Sequence, residues 1–249
     1  MIPGVPAAKR CEPEASVANI VYRRVPRADA SLIDRFRRLD VATVHEVTGE
    51  DLLLDPRIRP LVPGLVVAGP AITARNTPGD NLALHVALEL SEPGDLLVMT
   101  TGPQPQNAIW GEQVTVFAQG RGVAGVVCDG AVRDTAYLRE VGFPVWAALV
   151  FARRSTKAQP VEVNVPIVCG GVLVNPGDIV VADDDGAVVV RREAAEDVAG
   201  AAEKRKAAEL ERRSALSAGQ SPYSLLGLER ELQRMGTHVV DGVYGSKGS

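Results

Sequence analysis

Aromatic residues, cysteines and long apolar runs are all scarce in this chain of 249 residues. Aromatic residues make up 4% of it, and its apolar content of 46% comes mainly from valine, leucine and alanine. Three cysteines at irregular spacings are too few for a disulfide framework or a zinc cage. No run of about 18 apolar residues is present, so we expect no membrane span. The first residues lack the pattern of an export signal, so we expect a cytoplasmic protein.

Excess positive charge is also absent. The formal net charge is −4, which argues against binding of nucleic acid, since such surfaces need clustered lysine and arginine. The length allows one large domain or two small ones, with a core that needs no disulfides. Composition therefore indicates a globular protein and excludes the membrane, fibrous and disordered classes.

The chain divides by pattern into an arm, a core and a helical end. Residues 1–30 are rich in proline without periodicity and predict an N-terminal arm. Residues 31–190 predict the α/β core domain, 191–236 the C-terminal helices, and 237–249 a flexible tail. We therefore expect a single compact core domain that carries the chemistry.

Within the core, apolar runs alternate with helical periodicity. The pattern predicts helices over residues 31–49, 82–90, 109–120 and 135–141, followed by two C-terminal helices over 193–216 and 221–235. It predicts strands over residues 64–69, 71–74, 96–99, 123–128, 145–150, 161–168, 171–174, 179–182 and 187–190. This order favours an α/β fold with a central βαβ core in parallel pairing, mixed sheets and flanking helices.

The tripeptide Pro-Gly-Asp occurs three times, beginning at Pro78, Pro93 and Pro176. Proline and glycine supply the φ values that a type II turn requires at its two central positions. The first copy differs because Asn81 and a predicted helix follow it, so its backbone N–H groups could instead face an anion.

The segment Asp129–Asp134 is the first candidate for chemistry. It follows a predicted strand and opens the next helix, and ligands of α/β sheets collect beyond the carboxyl ends of strands. Arg133 offers a planar fork for a carboxylate or a keto acid, and Asp134 offers hard oxygens suited to Mg²⁺ or Mn²⁺. The alternative is a helix-start aspartate beside a surface arginine that pairs with Glu140 or Asp129.

Three further features of the sequence have both a chemical and a structural interpretation. Gly111 and Glu112 can present N–H donors and a carboxylate at a helix start, or be ordinary helix-start residues. Of the five lysines, only Lys157 lies within the core pattern. It can anchor a carboxylate, form a Schiff base or be a solvated loop residue. The acidic run Asp183–Asp185 before Gly186 favours a hairpin over a metal loop.

The histidines and cysteines give no sign of a site. His45, His85 and His238 lack the spacing of metal ligands, so we expect them on helix faces or at the surface. The cysteines have no suitably placed histidine partner and are expected to pack as small apolar residues.

An ordered set of motifs gives most of the chain a family resemblance. The motifs are, in order, Pro78–Asn81, Trp110–Glu112, Gly125–Asp134, Phe143–Trp146, Val163–Gly171, Val174–Asp178 and Ala182–Gly186. Over about Ala30 to Gly219 they resemble the 4-hydroxy-4-methyl-2-oxoglutarate / 4-carboxy-4-hydroxy-2-oxoadipate aldolases. These belong to the superfamily of the regulator of ribonuclease E activity A, which we call RraA-like.

The resemblance implies a fold, an assembly and a cofactor. The fold is the RraA-like α/β domain, assembled as a homotrimer or homohexamer with active sites between subunits. The cofactor is Mg²⁺ or Mn²⁺, held by Asp134 and, through water, by Glu112. A glutamate of the C-terminal helix reaches a neighbouring subunit's site in this family, and Glu209 or Glu211 matches it here.

The resemblance also implies how a substrate binds. Arg133 would bind the pyruvyl end, and the backbone N–H groups of Gln113 and Val114, after Gly111, would hold the pyruvyl carboxylate. Lys157 would meet the distal carboxylate. The small-molecule substrate is thus a keto acid, and neither nucleic acid nor a membrane is an expected partner.

The implied activity is metal-dependent retro-aldol cleavage of a 4-hydroxy-2-oxo di- or tricarboxylic acid to give pyruvate, with oxaloacetate decarboxylation alongside. The alternatives are a non-catalytic regulatory protein of the same superfamily, or a member that acts on another keto acid. The sequence departs from the aldolase pattern at Arg154, where glycine is usual, at the helix after Glu112, and at Gln220. These departures bear on the substrate more than on the metal site.

Overall fold

The computed structural model describes residues 19–102 and 107–244. The chain forms two units, Met1–Ala202 and Glu203–Ser249. The first unit contains all twelve strands of the described residues: β1 (Ile20–Val21), β2 (Arg59–Pro60), β3 (Val67–Arg75), β4 (Leu96–Thr100), β5 (Ala108–Trp110), β6 (Gly125–Val132), β7 (Val145–Val150), β8 (Glu162–Val163), β9 (Ile167–Cys169), β10 (Val172–Val174), β11 (Ile179–Asp183) and β12 (Gly186–Val190).

Eight α-helices and one 3₁₀ turn complete the described elements. The helices are α1 (Ala30–Phe36), α2 (Val41–Thr48), α3 (Leu82–Leu90), α4 (Glu112–Gly120), α5 (Thr135–Glu140), α6 (Ala195–Ser217), α7 (Pro222–Leu225) and α8 (Leu228–Arg234), with the 3₁₀ turn at Arg192–Ala194. No helix of the described residues is both long enough and apolar enough to span a bilayer. The domain boundaries expected from the sequence remain predictions.

Ten strands form one mixed sheet. Its main path runs β1-β8-β3-β4-β6-β7-β2, with β5 paired to β6 and β11 paired to both β3 and β12. The neighbours β3, β4, β6 and β7 pair in parallel, whereas β11 pairs with β3 and β12 antiparallel. The expected α/β fold, with a parallel βαβ core inside a mixed sheet and helices beside it, is confirmed.

The central strands are buried on both faces. In β4, Leu96 and Val98 belong to an apolar cluster that includes residues of α1 and α2. Leu97 and Met99 belong to a second cluster that includes residues of α3. Because successive strand side chains point to opposite faces, a strand covered on both sides is apolar throughout. This explains the valine-rich runs that the sequence shows.

Two helices predicted from periodicity differ in the structure, one because of a helix cap and the other because of strand pairing. The predicted helix over residues 31–49 is two helices, because the Asp40 side chain accepts a hydrogen bond from Thr43 N and starts α2 anew. The predicted helix over residues 109–120 is wrong in its first turn. There, β5 pairs with β6, and the helix begins only at Glu112.

Further boundaries differ from the prediction. The strand predicted over residues 123–128 is β6, which extends to Val132 because it pairs with β5 and β7 beyond Cys128, so Asp129 lies within the strand and not after it. The two strands predicted around Pro70 form a single strand, β3, whose first half pairs with β11 and second half with β4. The strand predicted over residues 161–168 is broken, because Asn164 adopts a positive φ of 57°. The helix predicted over residues 221–235 is divided at Gly227, whose φ is 64°.

Candidate active site

The predicted site residues of the core line one cleft of about 380 Å³, a volume typical of small-molecule sites. The cleft lies where β5 and β6 end and α4 and α5 begin. Seven of its lining residues are the ones that the sequence singled out: Gly111, Glu112, Gln113, Val114, Arg133, Asp134 and Lys157. Their convergence places both candidate motifs and the isolated core lysine around one space.

The end of β6 turns the Arg133-Asp134 pair into this cleft. The pairing of β6 with β7 shifts register between Cys128 and Ala131, and Arg133 N then donates to Trp110 O at 3.0 Å. Asp134 follows in the left-handed region, with φ 57° and ψ 37°, as the N-cap of α5. Aspartate is one of the few residues other than glycine that tolerate this region. The strand end therefore places two adjacent charged side chains at the helix start.

Position 111 requires glycine because a side chain would clash with its neighbours. Its backbone is extended, a conformation that any residue can adopt. A Cβ atom there would lie 2.5 Å from Asp134 Oδ2 and 3.1 Å from Arg133 Cγ. The absence of a side chain lets Glu112 N donate to Asp134 Oδ2 at 3.1 Å. Arg133 Nε lies 3.5 Å from the same oxygen. Gly111 thus permits the two motifs to meet.

Helix α4 presents donors to the cleft. Thr115 N donates to Gly111 O, and the Thr115 hydroxyl donates to the same carbonyl while it accepts from Trp110 Nε1. The N–H groups of Gln113 and Val114 precede the first intrahelical bond, so they have no acceptor within the helix. Such N–H groups and the helix dipole favour an anion.

The cleft also contains residues that the sequence analysis did not assign to the site. Asn81, His85 and Ser155 line it together with Lys157. Asn81 Nδ2 donates to Ile109 O at 3.0 Å, while the buried Asn81 Oδ1 accepts no hydrogen bond from the described residues. The Pro-Gly-Asp-Asn motif was the only signal in the sequence that could have indicated Asn81.

His85 lies half-buried on α3, in agreement with the expected position on a helix face. Its Nε2 atom is buried and lacks a hydrogen-bond partner within the described part of the chain. Burial lowers the pKa of His85, the nearby charge of Lys157 lowers it further, and Asp80 opposes both effects. The neutral imidazole is therefore the favoured form beside the cleft.

The first Pro-Gly-Asp copy does not offer its N–H groups to an anion, contrary to one expectation. Asp80 N donates to Thr77 O and Asn81 N to Thr156 O. The Asp80 carboxylate accepts hydrogen bonds from Leu82 N, the Thr156 hydroxyl and Ala158 N. Burial acts to raise the pKa of Asp80, but these hydrogen bonds outweigh it and the pKa is lowered. The motif instead ties α3 to the segment that carries Lys157.

Asp129, at the start of the Asp129–Asp134 segment, lies away from this cleft. It lines a second crevice, where it accepts from the Thr100 hydroxyl at 2.7 Å and Thr101 N at 3.0 Å. Burial raises the pKa of Asp129, and these hydrogen bonds oppose that rise. The surface pairing of Arg133 with Asp129 or Glu140 does not form, since Arg133 contacts Asp134.

The acidic run Asp183–Asp185 forms the predicted hairpin turn between β11 and β12. Asp183 pairs with Gly186 across the turn and accepts from Val41 N and Asp185 N. Asp184 accepts from Gly64 N. No group of three or more histidine, cysteine or acidic side chains suited to a metal occurs within residues 19–102 and 107–244.

Two of the three cysteines are described, and both pack in the core as expected. Cys128 and Cys169 are free and buried. Burial raises the pKa of Cys128 to about 12 and also raises that of Cys169. Cys11 lies outside the described residues.

Glu209 belongs to the C-terminal unit and not to the unit that contains the cleft. Within α6 it forms an ion pair with Arg205, four residues earlier, at 3.1 Å. Its expected role in a neighbouring subunit's site stays a prediction.

Comparisons with known proteins relate the chain to one family. Residues 29–189 match the family described as RraA-like, Aldolase/RraA. A Halalkalibacterium halodurans protein named "Putative 4-hydroxy-4-methyl-2-oxoglutarate aldolase" is 34% identical over 191 residues, 77% of this chain and 91% of that protein. The Thermus thermophilus 4-hydroxy-4-methyl-2-oxoglutarate aldolase is 38% identical over 104 residues, 42% of this chain and 63% of that enzyme.

A solved structure extends the comparison to a different function. Streptomyces coelicolor RraAS2, described as an unusual member of the RNase ES inhibitor RraA protein family, superimposes with a TM-score of 0.68. It is 32% identical, and the match covers 76% of this chain and 98% of that one. The fold is therefore shared by proteins named as aldolases and by proteins named as inhibitors.

Proposed function

The chain belongs to the RraA-like family, and from that membership we propose that it is a lyase that cleaves a 4-hydroxy-2-oxo acid and releases pyruvate. The substrate is a di- or tricarboxylic acid of the 4-hydroxy-4-methyl-2-oxoglutarate type, and the cofactor is Mg²⁺ or Mn²⁺. The relatives that carry the aldolase name support this assignment. We include oxaloacetate decarboxylation, because both reactions pass through the enolate of pyruvate.

The observation that carries the proposal is the meeting of Arg133, Asp134 and the start of α4 in one cleft. A guanidinium fork, a carboxylate and two N–H groups without an intrahelical acceptor converge there. A 2-oxo acid has a carboxylate beside a keto oxygen, which suits a fork and N–H donors. These groups are together sufficient to bind the pyruvyl end of the substrate.

The donor set fits a hard divalent cation that keeps most of its waters. Asp134 Oδ2 accepts from Glu112 N, while Asp134 Oδ1 receives no hydrogen bond from a described residue. The Glu112 side chain is exposed and lines the same cleft. Mg²⁺ typically binds one or two carboxylates and completes its shell with water and substrate oxygens. Asp134 would hold the cation directly and Glu112 through water, and the bound cation would supply a Lewis acid at the keto oxygen.

The residues of the chain then account for the bond cleavage. Arg133 and the N–H groups of Gln113 and Val114 bind the pyruvyl carboxylate and fix its orientation. The C4 hydroxyl gives its proton to a water that Arg133 and Glu112 orient. The C3–C4 bond breaks, C4 becomes a carbonyl, and the electron pair forms the enolate, whose charge Arg133 stabilises. The water that took the hydroxyl proton returns a proton to C3, which gives pyruvate.

Lys157 binds the distal carboxylate in this proposal. It lines the cleft together with His85, whose pKa its charge lowers. A charge-assisted contact of this kind selects a substrate with an anionic far end. Lys157 therefore acts in recognition, and the cleavage needs no Schiff base.

We also propose a homotrimer or homohexamer in which Glu209 of one subunit completes a neighbouring site. Light scattering on the purified chain tests the assembly. Mixing an Asp134→Ala chain with a Glu209→Gln chain tests the shared site, since mixed oligomers would regain activity. A monomer with full activity would contradict this part of the proposal.

A pyruvate-release assay tests the function. With 4-hydroxy-4-methyl-2-oxoglutarate and Mg²⁺, we expect release that stops on chelation and returns when Mg²⁺ is restored. Asp134→Ala is expected to be inactive while it stays folded. Unaltered release in the presence of chelator, or full activity of Asp134→Ala, would contradict the proposal.

The alternative function is that of a non-catalytic binding protein, which the likeness to RraAS2 favours. It predicts no pyruvate release, no heat of Mg²⁺ binding in calorimetry, and capture of a ribonuclease by the immobilised chain. The carboxylate of Asp134 in the cleft favours the lyase.

A further inference from the structure

The cleft has more cationic side chains than a dicarboxylic substrate requires. Arg133, Arg154 and Lys157 all line it, together with the carboxylates of Glu112 and Asp134. Of the three cationic side chains, only Arg133 contacts a carboxylate, that of Asp134, within the described ranges. Arg154 and Lys157 therefore line the cleft without an ion-pair partner among the described residues.

The main chain of Arg154 is fixed independently of its side chain. Ala108 N donates to Arg153 O at 2.8 Å, and the Ser155 hydroxyl donates to Ala108 O at 2.9 Å. The Asn107 side chain donates to Arg154 O. These contacts hold the segment against the start of β5, so the exposed Arg154 side chain is placed at the cleft by backbone bonds that a substitution would leave intact.

The Asp80 carboxylate is hydrogen-bonded to this segment but forms no ion pair with Arg154 or Lys157. Asp80 is 2% exposed, and its oxygens already accept from Leu82 N, the Thr156 hydroxyl and Ala158 N. Neither Arg154 nor Lys157 forms an ion pair with any described residue. Positive charges without protein partners at a small-molecule cleft are suited to anionic groups of a ligand.

We propose that Arg154 is a specificity-determining residue that binds a third carboxylate of the substrate. The proposal rests on the proposed function. The pyruvyl carboxylate is assigned to Arg133 and α4, and one distal carboxylate is assigned to Lys157. The Arg154 guanidinium is then available for a second distal carboxylate. The preferred substrate is then a 4-hydroxy-2-oxo acid with two carboxylates on the C4 side, and a dicarboxylate leaves Arg154 without a partner.

Arg153 provides a matched control. It precedes Arg154 and carries the same charge, but it does not line the cleft, and its guanidinium lies 5.3 Å from the centre of the Phe151 ring. Arg153→Gln and Arg154→Gln therefore remove equal charge from the same segment. Any general effect of charge on substrate attraction should appear in both variants, whereas direct recognition should appear only in Arg154→Gln.

The test compares kcat/KM for 4-carboxy-4-hydroxy-2-oxoadipate, a tricarboxylate, with that for 4-hydroxy-4-methyl-2-oxoglutarate, a dicarboxylate. The wild type should prefer the tricarboxylate, and Arg154→Gln should reduce this preference about 10-fold, the scale of one exposed charge-assisted hydrogen bond. Arg153→Gln should keep the wild-type ratio. An unchanged ratio in Arg154→Gln, or an equal fall in Arg153→Gln, would overturn the proposal.

A binding measurement separates this inference from the proposed function. Calorimetry with propane-1,2,3-tricarboxylate and with glutarate needs no turnover, and the wild type should bind the tricarboxylate more tightly. Loss of that preference in Arg154→Gln alone supports the role of Arg154 even if no substrate releases pyruvate, which would refute only the lyase. A wild type without preference in either measurement overturns the role of Arg154.

Discussion

Asp129 and Asp134 lie five residues apart in one segment of the chain, yet they have opposite surroundings. Asp129 accepts hydrogen bonds from the Thr100 hydroxyl and Thr101 N, and burial raises its pKa. The side chain of Asp134 is 38% exposed and lines the cleft with Arg133. The same residue type thus serves the fold at one end of the segment and faces a site at the other.

The difference arises from the end of β6. Asp129 lies within the strand, where neighbouring strands supply donors, whereas Asp134 follows the strand and caps α5 in the left-handed region. A carboxylate whose oxygens are bonded by the protein has little capacity left for a ligand. Substitution by asparagine, which keeps the shape and removes the charge, should therefore separate the two roles.

Removal of the charge at Asp134 should have the largest effect. Asp134→Asn keeps a residue that tolerates positive φ but weakens any hold on a divalent cation, so we expect kcat/KM for pyruvate release to fall about 1,000-fold. The free energy of unfolding should change by less than about 0.5 kcal/mol, since the side chain is at the surface. Steady-state kinetics and urea unfolding measure both; a variant with full activity would remove the contrast with Asp129.

A side chain at Gly111 should disturb the site next most strongly. In Gly111→Ala the new Cβ would meet Asp134 Oδ2 at 2.5 Å, so the Arg133-Asp134 pair must move. We expect kcat/KM to fall about 100-fold, the cost of a displacement of about 1 Å at a reacting group. Gly120→Ala is the control, because its Cβ would meet no atom within 4 Å. Equal kinetics in the two variants would show that close approach at Gly111 is unimportant.

At Asp129, stability rather than activity should respond. Asp129→Ala leaves the buried Thr101 N–H without its acceptor, so we expect the free energy of unfolding to fall by about 2–3 kcal/mol. Asp129→Asn should lose much less, since its carbonyl can accept from Thr101 and its amide can donate to the Thr100 hydroxyl. Urea unfolding of the two variants measures this difference. If Asp129→Asn lost as much free energy of unfolding as Asp129→Ala, the charge of Asp129 would be what stabilises the fold.

The smallest expected effect is the pH dependence due to His85. Its folded-state pKa is below the ordinary value of 6.5, chiefly because of burial. The unfolded chain therefore binds the proton more tightly, and this contribution to stability is lost as pH falls below about 6.5. Urea unfolding across this range should show a shallower decline for His85→Gln than for the wild type. If the free energy of unfolding of the two proteins changed with pH in parallel, the lowered pKa of His85 would be contradicted.

The sequence predicted the parallel core and the Arg133-Asp134 pair of the cleft because both leave local patterns. Strands buried on both faces are apolar throughout, and turn residues separate them. The Asp129–Asp134 segment has a glycine, an arginine and an acid at a strand end. In contrast, β5 was predicted as helix, because three apolar residues before a helix start have no distinctive period and only the pairing with β6 decides their conformation.

Three other residues that line the cleft could not be assigned from the sequence. His85 is an ordinary position of an amphipathic helix, Asn81 is the N-cap of that helix, and Ser155 is one small residue of a loop. They meet at the cleft because Asp80 binds the segment from Thr156 to Ala158 and so brings α3 beside it. Contacts between residues that are more than seventy positions apart leave no signal in a single sequence.

The sequence by itself determined the α/β class, the order of most elements and the presence of an arginine-aspartate pair at a strand end, because periodicity and turn chemistry are local. The tertiary structure alone decided which acid faces the cleft. It also decided that Gly111 leaves room for Asp134 and that Arg154 lines the same space as Lys157. Those outcomes depend on strand register and on distances across the fold, which are set by packing.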